Sequence, residues 1–251
     1  MIKRFKFKKN QTLVGYIFNE IDTYTKDVML NEFKDIFKGE PVGIYSSNSL
    51  SHFMWQELFP KGRVNKKHLI QSAKEISQLD ERIPMSVFHL MDNDNGIAKI
   101  SDVWIRIMSE TVFYDILANL ENIDAIIEQL KMDMRHEIGH VIDCFKLEGM
   151  PFDEYVELME ADKDAVNAFY DKWGHDTSEL SVEENHQRLR EYYECPAEAR
   201  ANAHVNFDID RYLEIKDILS YERKDFQIDM TIKSTVKTFI DEDKEEDKNA
   251  N

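Results

Sequence analysis

The sequence lacks the features of secreted, membrane-spanning and nucleic-acid-binding proteins. Its 251 residues include only two cysteines, too few for a disulfide framework. No apolar run approaches membrane-spanning length, and the run at residues 12–18 is too short for a signal peptide and lacks a small-residue cleavage site. The formal net charge of −17 argues against nucleic acid, because phosphate binding requires clustered Lys and Arg. We therefore expect a cytoplasmic protein, in a host cell or virion if the chain is viral, with no membrane or nucleic-acid partner.

What the sequence does contain is enough apolar side chain for one sizeable core. The chain is 42% hydrophobic and 11% aromatic, which is typical of globular proteins rather than disordered ones. Residues 241–251 are acidic with almost no apolar side chain, so we predict a disordered tail there. The remainder divides into a mostly helical region of unknown role at residues 1–80 and a core domain at residues 81–240.

Hydrophobic spacing predicts the secondary structure of both regions. In the first region, apolar residues recur at helical spacing in three segments, which are residues 13–37, 49–59 and 65–79. After Pro84 the sequence pattern changes to short segments rich in β-branched and aromatic residues. We predict strands at residues 85–91, 103–108 and 111–117.

The polar segment at residues 92–96 is superficially similar to a calcium-binding EF-hand loop. If Gly96 is the sixth loop position, Met91 is the first, where calcium needs an oxygen ligand. A turn built on Asn95 and Gly96 is therefore the better interpretation.

A long amphipathic helix is predicted after these strands. Apolar residues repeat every three to four positions, at Ile123, Ile127, Leu130, Met134, Ile138, Val141 and Phe145. The helix would be roughly 35 Å long at 1.5 Å per residue, with Asn122 or Asn119 as its N-cap. We predict an α+β fold with a small mixed or antiparallel sheet, this long helix, a helical C-terminal part and a helical N-terminal extension.

The predicted helix carries the sequence His136-Glu137-Ile138-Gly139-His140. Two imidazoles four residues apart project from one helix face, where a single tetrahedral zinc ion can bind both. Glu137 lies on the flank of the same turn, where a carboxylate can hold and deprotonate a water molecule. This HExxH pattern resembles the zincin family of zinc metallopeptidases, which implies a zincin-like fold for residues 81–240.

Catalytic zinc usually has three protein ligands, so the resemblance implies one more. The extended HExxHxxGxxH pattern is absent, since Asp143 and Lys146 stand where its Gly and His would be. The third ligand should then be a Glu from a later helix, as in the gluzincin branch of zincins.

Two segments compete to supply this ligand. Residues 157–162 contain Glu157 and Glu160, but the gluzincin E-x-x-A-D pattern would need Glu at position 158, which is Leu. Glu198 is favoured, because Ala201 lies one turn further on and leaves room against the helix of the motif. Pro196 also suits the first turn of a new helix. With the HExxH helix, this segment resembles lethal-factor-like and short phage-type zincins over residues 130–201.

The resemblance assigns a role to each candidate residue. One zinc ion would be held by His136, His140 and Glu198, with Glu137 as the general base that returns its proton to the leaving amine. Tyr193 would stabilise the oxyanion, with Tyr192 and His186 left open as alternatives.

The polar and sulfur-containing residues around the motif have less specific interpretations. Asp143 either orients a histidine ligand or is an exposed helix residue. Cys144 and Cys195 are interpreted chiefly as small buried hydrophobes. The histidines without ligand spacing are expected to be structural or exposed: His52, His68, His89, His175 and His204.

The sequence thus predicts a zinc metallopeptidase, an endopeptidase rather than an exopeptidase, that acts on protein or peptide substrates. The substrate would bind extended beside an edge strand, for which residues 111–117 are the candidate. The alternative function is a non-catalytic regulatory or interaction protein on a zincin scaffold with structural zinc. The intact Glu137 favours the enzyme, because a structural site has no use for a general base. The sequence predicts neither cleavage preference nor oligomeric state.

Overall fold

The computed structural model describes residues 13–37, 42–46, 56–57, 84–107, 109–119, 121–177 and 179–219. The predicted helix at 65–79, the acidic tail at 241–251, and His52 and His68 lie outside these ranges. The division of the chain near residue 80 stays a prediction.

The described residues form an α+β structure, which confirms the predicted fold class. In chain order the elements are α1 (Leu13–Asp27), a π-helical turn (Val28–Glu32), α2 (Lys34–Phe37), β1 (Val42–Ser46), β2 (Gln56–Glu57), β3 (Met85–Asp94), β4 (Ile97–Ile107), α3 (Ser109–Ala118), α4 (Ile123–Leu147), α5 (Phe152–Trp173), α6 (Val182–Tyr193), α7 (Pro196–Val205) and α8 (Ile209–Ile218).

The strands form one mixed sheet in the order β2-β1-β4-β3. Strand β1 runs parallel to β4, whereas β3 and β4 form an antiparallel hairpin, so β3 lies at one edge of the described sheet. The two-residue turn of the hairpin has φ of 56° at Asn95 and 81° at Gly96. Positive φ at both positions is the type I′ geometry that Asn-Gly favours, so the predicted turn is confirmed.

Two predictions of secondary structure are wrong. Residues 111–117 belong to α3 and not to a strand; Val112 and Ile116, four residues apart, are both fully buried, as on one face of a helix. A short apolar run does not distinguish a buried strand from a buried helix. Gln56–Glu57, inside a predicted helix, pairs with β1 instead. The predicted substrate-binding strand at 111–117 is therefore incorrect, and β3 is the strand at the edge of the described sheet next to β4.

Helix α4 is the centre of the molecule. The apolar positions predicted from its periodicity are buried or packed against the core: Ile123, Ile127, Leu130, Met134, Ile138, Val141 and Phe145. Val103, Ile105 and Ile107 of β4 and Ile17 and Ile21 of α1 belong to the same core. Each such side chain contributes roughly 1.5–3 kcal/mol when fully buried, so the core fixes the axis and rotation of α4.

The start of α4 agrees with the predicted cap position but not with the predicted capping contact. Asn122 is the N-cap residue, and its carbonyl accepts the first helical hydrogen bond from Ile126. Its side chain instead donates to the carbonyl oxygen of Ile218, at 3.3 Å, and so connects α4 to the end of α8. Within the described ranges, no helix has the length and apolar character needed to cross a membrane.

Candidate metal centre

Helix α4 brings the two histidines of the motif together. The Nε2 atoms of His136 and His140 lie 3.1 Å apart, and the rings meet edge to face with centroids separated by 4.7 Å. His136 is buried and His140 is partly exposed. The core on the other side of the helix turns this pair toward α7.

Glu198 completes the group from the first turn of α7. Its Oε2 atom lies 2.9 Å from Nε2 of His136 and 3.2 Å from Nε2 of His140. The helix starts at Pro196, as predicted. Glu198 is therefore held by a helix that begins only two residues earlier, and its carboxylate is buried against both imidazoles.

The three side chains fit a single metal ion. Their donor atoms form a triangle with sides of 2.9, 3.1 and 3.2 Å. Donors of a tetrahedral zinc ion, with bonds of about 2.0–2.1 Å, are separated by about 3.3 Å. Within the described part of the chain, this is the group of His, Cys, Asp and Glu residues that could hold a metal. The group could hold one ion, and the geometry does not identify the metal.

The rival candidates for the third position lie elsewhere. Glu157 and Glu160 are on α5, both exposed to solvent, and neither belongs to the group that could hold a metal. The structure thus brings Glu198, and not these two residues, to the histidines.

A close approach between two helices makes this arrangement possible. A Cβ atom placed on Gly139 would lie 2.3 Å from the carbonyl oxygen of Ala201, far inside van der Waals contact. Ala201 itself is fully buried. Ala201 therefore allows α7 to approach α4 closely, as expected from its small side chain. The approach also requires Gly139, the residue before His140, and the sequence did not predict this role of Gly139.

Asn202 orients the first histidine. Its Oδ1 atom lies 2.7 Å from Nδ1 of His136. An amide oxygen can only accept, so Nδ1 of His136 carries a proton and Nε2 is the nitrogen that faces Glu198. Sequence reasoning missed Asn202, although it lies four residues after Glu198 and so on the same face of α7.

Burial and charge together set the protonation of the group. Burial raises the pKa of Glu137, and the neighbouring His136 and His140 offset only part of this effect. Burial alone would raise the pKa of Glu198, but hydrogen bonds from both histidines hold it well below its usual range. Burial lowers the pKa of His136, yet Glu198 and Glu137 outweigh it and raise that pKa to about 9. Glu198 is thus a carboxylate suited to a cation, and Glu137 is a stronger base than an exposed Glu.

The two tyrosines before α7 have different contacts. The Tyr192 hydroxyl donates to Oε1 of Glu198 at 3.1 Å. The Tyr193 ring packs on the His136 ring, with centroids 5.2 Å apart. The Tyr212 hydroxyl donates to Oδ1 of Asp133 at 2.9 Å, and a hydrogen bond with Tyr212 offsets part of the rise that burial causes in the pKa of Tyr193. The oxyanion role of Tyr193 stays a prediction.

The third residue considered for the oxyanion role also faces elsewhere. Nε2 of His186 lies 2.7 Å from Oδ1 of Asp217, in an exposed pair that joins α6 to α8. The Tyr192 hydroxyl thus contacts Glu198 and His186 pairs with Asp217, and the role of Tyr193 stays a prediction.

Asp143 is buried, and so is not an exposed helix residue. It accepts hydrogen bonds from Nε of Arg200 and from Nε2 of His204, both at 3.0 Å. Arg200 also binds Asp162 of α5 through two bonds of 2.6 and 3.0 Å. This network joins α4, α5 and α7. The histidine that Asp143 contacts is therefore His204, and the orientation of a ligand histidine by Asp143 stays a prediction.

The remaining histidines and cysteines are also placed. Cys144 and Cys195 are buried and free, as expected for small hydrophobes. His175 stacks on the ring of Tyr170, a structural role. Nε2 of His89, on β3, lies 2.9 Å from the hydroxyl of Tyr155 on α5.

Searches against known proteins leave the site to be judged on its own geometry. No protein-family model, curated protein or solved structure matches this chain. The His136, His140 and Glu198 group, on a helix with His-x-x-x-His spacing, is compatible with an HExxH zincin.

Proposed function

We propose that this protein is a zinc-dependent endopeptidase of the gluzincin type, similar to lethal-factor-like and short phage-type zincins. The observation that carries the proposal is the juxtaposition of a three-donor metal group with a buried carboxyl on the same helix. His136, His140 and Glu198 form the metal group, and the buried Glu137 lies between the two histidines in the sequence.

His136, His140 and Glu198 would hold the zinc ion and leave its fourth position open toward solvent and substrate. When bound, zinc lowers the pKa of water toward 7 and polarises a carbonyl group. Asn202 would keep Nε2 of His136 turned toward the ion, and the Tyr192 hydroxyl would orient the Glu198 carboxylate.

Glu137 would act as the general base. Its raised pKa increases its affinity for the proton that it removes from the attacking water. The same carboxyl would then donate that proton to the amine that leaves when the peptide bond breaks. A purely structural metal site needs no such group, which favours the enzyme over the non-catalytic alternative.

The substrate would be an extended protein or peptide segment alongside β3. This strand lies at the edge of the described sheet, where unpaired backbone groups can add a further strand. Its neighbour across the hairpin, β4, belongs to the core against which α4 packs. The edge is therefore rigidly placed relative to the metal group.

Glu137→Gln provides the test of this function. The zinc-loaded wild type should cleave members of a random peptide library, detected by mass spectrometry. The variant should bind zinc normally but lose cleavage by at least about 10²-fold, since the proton transfer step is removed. Glu157→Gln, an exposed acid on α5, is the matched control and should retain full activity. Retained cleavage in Glu137→Gln, or none in zinc-loaded wild type, would contradict the proposal.

A further inference from the structure

A half-buried pair of polar side chains, His89 on β3 and Tyr155 on α5, is not used by the function proposed above. His89 shares one face of β3 with Met85 and Val87, because side chains alternate along a strand. Met85 belongs to the hydrophobic core and Val87 packs against it. His89 therefore points toward α4, where the charges of His140 and Asp143 both act on its imidazole.

The partner of His89 is held in place by the backbone of the hairpin. The amide of Phe152 donates to the carbonyl oxygen of Gly96 at 2.8 Å, and the amide of Ala98 donates to that of Met150 at the same distance. These bonds attach the start of α5 to the β3–β4 turn. Tyr155 lies in the first turn of α5, and its ring meets the His89 ring edge to face. The pair is therefore fixed by two rigid elements.

The His89–Tyr155 pair has one hydrogen-bond donor that the bond between the two side chains does not use. Burial, and then the nearby His140, lower the pKa of His89, while burial raises the pKa of Tyr155, so both groups are neutral near pH 7. A neutral imidazole and a phenol carry one N–H and one O–H between them. Their mutual bond of 2.9 Å uses one of these two protons. The other can be donated to a further acceptor, whichever tautomer His89 adopts.

The Tyr192 hydroxyl, beside the metal group, offers no such proton, because it donates to Glu198. Peptide hydrolysis develops negative charge on the carbonyl oxygen, which a positioned donor stabilises. A substrate strand added to β3 would pass beside His89.

We propose that His89 and Tyr155 form a donor pair that contacts the substrate beside His140 and stabilises the negative charge developing on the carbonyl oxygen. The inference rests on the proposed peptidase function and adds to it the donor that the metal group alone does not supply. Tyr155 and His89 would act in the transition state, and neither would hold the metal.

Tyr155→Phe and His89→Gln test this inference by kinetics. Removing one such donor should lower kcat by about 10²-fold, while KM and zinc content stay near those of wild type. Tyr16→Phe on α1 is the matched control and should leave kcat unchanged. A pair that only joins β3 to α5 would change the melting temperature and leave kcat intact, which would overturn the inference. Loss of zinc in either variant would also overturn it.

A second measurement keeps the inference testable without turnover. A phosphinic pseudo-peptide, a tetrahedral anionic mimic of the transition state, is added to the zinc-loaded Glu137→Gln variant. The His89 ring resonance, assigned through His89→Gln, should shift on binding, whereas that of His175 should not. Binding without a shift at His89 would overturn the inference and leave the proposed function standing. Failure of the zinc-loaded protein to bind the mimic would overturn both.

Discussion

Oδ1 of Asn202 lies 2.7 Å from Nδ1 of His136, and this contact determines which nitrogen of the imidazole faces the metal group. Asn202 and Glu198 are four residues apart on α7, so one helix supplies both a carboxylate of the group that could hold a metal and the residue that orients its histidine neighbour. The close approach at Gly139 brings this helix near enough to α4 for both contacts.

Asn202→Ala should weaken zinc binding by about 10–100-fold, the usual effect of removing a hydrogen bond that orients a liganding histidine. Asn202→Asp should bind zinc at least as well as wild type, because a carboxylate accepts the same hydrogen bond. Competition with a chromophoric chelator measures both affinities. Equal affinity of wild type and Asn202→Ala would show that the contact does not position His136.

Gly139→Ala should destabilise the protein and weaken its metal site together. The added methyl would lie 2.3 Å from the backbone oxygen of Ala201, which cannot rotate away. Helix α7 must therefore shift, at a cost of about 1–3 kcal/mol in unfolding free energy, and carry Glu198 with it. Urea denaturation with and without zinc measures both effects. An Ala variant as stable as wild type would contradict the helix contact described above.

Arg200→Ala should be strongly destabilising. It removes the guanidinium that pairs with two buried carboxylates, Asp143 and Asp162. Leaving buried charges without this partner lowers the free energy of unfolding by roughly 3 kcal/mol. Arg200→Lys should recover only part of the loss, since one ammonium does not reproduce the forked contacts of the guanidinium.

The matched control for Arg200 is Arg211→Ala, because Arg211 pairs with Glu128 and Glu214 on the exposed surface. Exposed ion pairs contribute little, so this variant should unfold close to wild type in urea. Equal destabilisation by Arg200→Ala and Arg211→Ala would mean that the burial of Asp143 and Asp162 does not increase the contribution of their ion pairs to the free energy of unfolding.

The two thiols should resist modification in the folded protein. Burial raises the pKa of Cys144 to about 12 and that of Cys195 above its ordinary value, so less thiolate is present at any given pH. With a thiol-specific disulfide reagent at pH 8, the native chain should react slowly and the urea-unfolded chain at once with two equivalents. Rapid reaction of either native thiol would show that α4 or the start of α7 opens readily.

The parts of the fold that the sequence predicts are those with a strong local signal. Seven apolar residues at helical spacing define α4, and its rotation follows from the same stripe, so His136 and His140 are predictable together. Pro196 and the small Ala201 mark the start and inner face of α7, which is why Glu198 could be favoured over Glu160.

The parts that were missed depend on contacts between distant segments. Residues 111–117 are apolar enough for either a strand or a helix, and only packing decides. The close contact at Gly139 arises because α7 crosses α4 there. The contacting residue of α7, Ala201, lies 62 residues later in the chain. The bond between His89 and Tyr155 joins strand β3 to helix α5, which follows it 66 residues later in the sequence. No local sequence pattern predicts such a contact.

The zinc content of Glu198→Ala, compared with Glu160→Ala and wild type, tests the central claim most directly. Each protein is purified without chelator, supplied with zinc, desalted and analysed for metal. The His136, His140 and Glu198 group predicts near one zinc per chain for wild type and Glu160→Ala, and loss of zinc for Glu198→Ala. Full zinc retention by Glu198→Ala, or no zinc in wild type, would contradict the account.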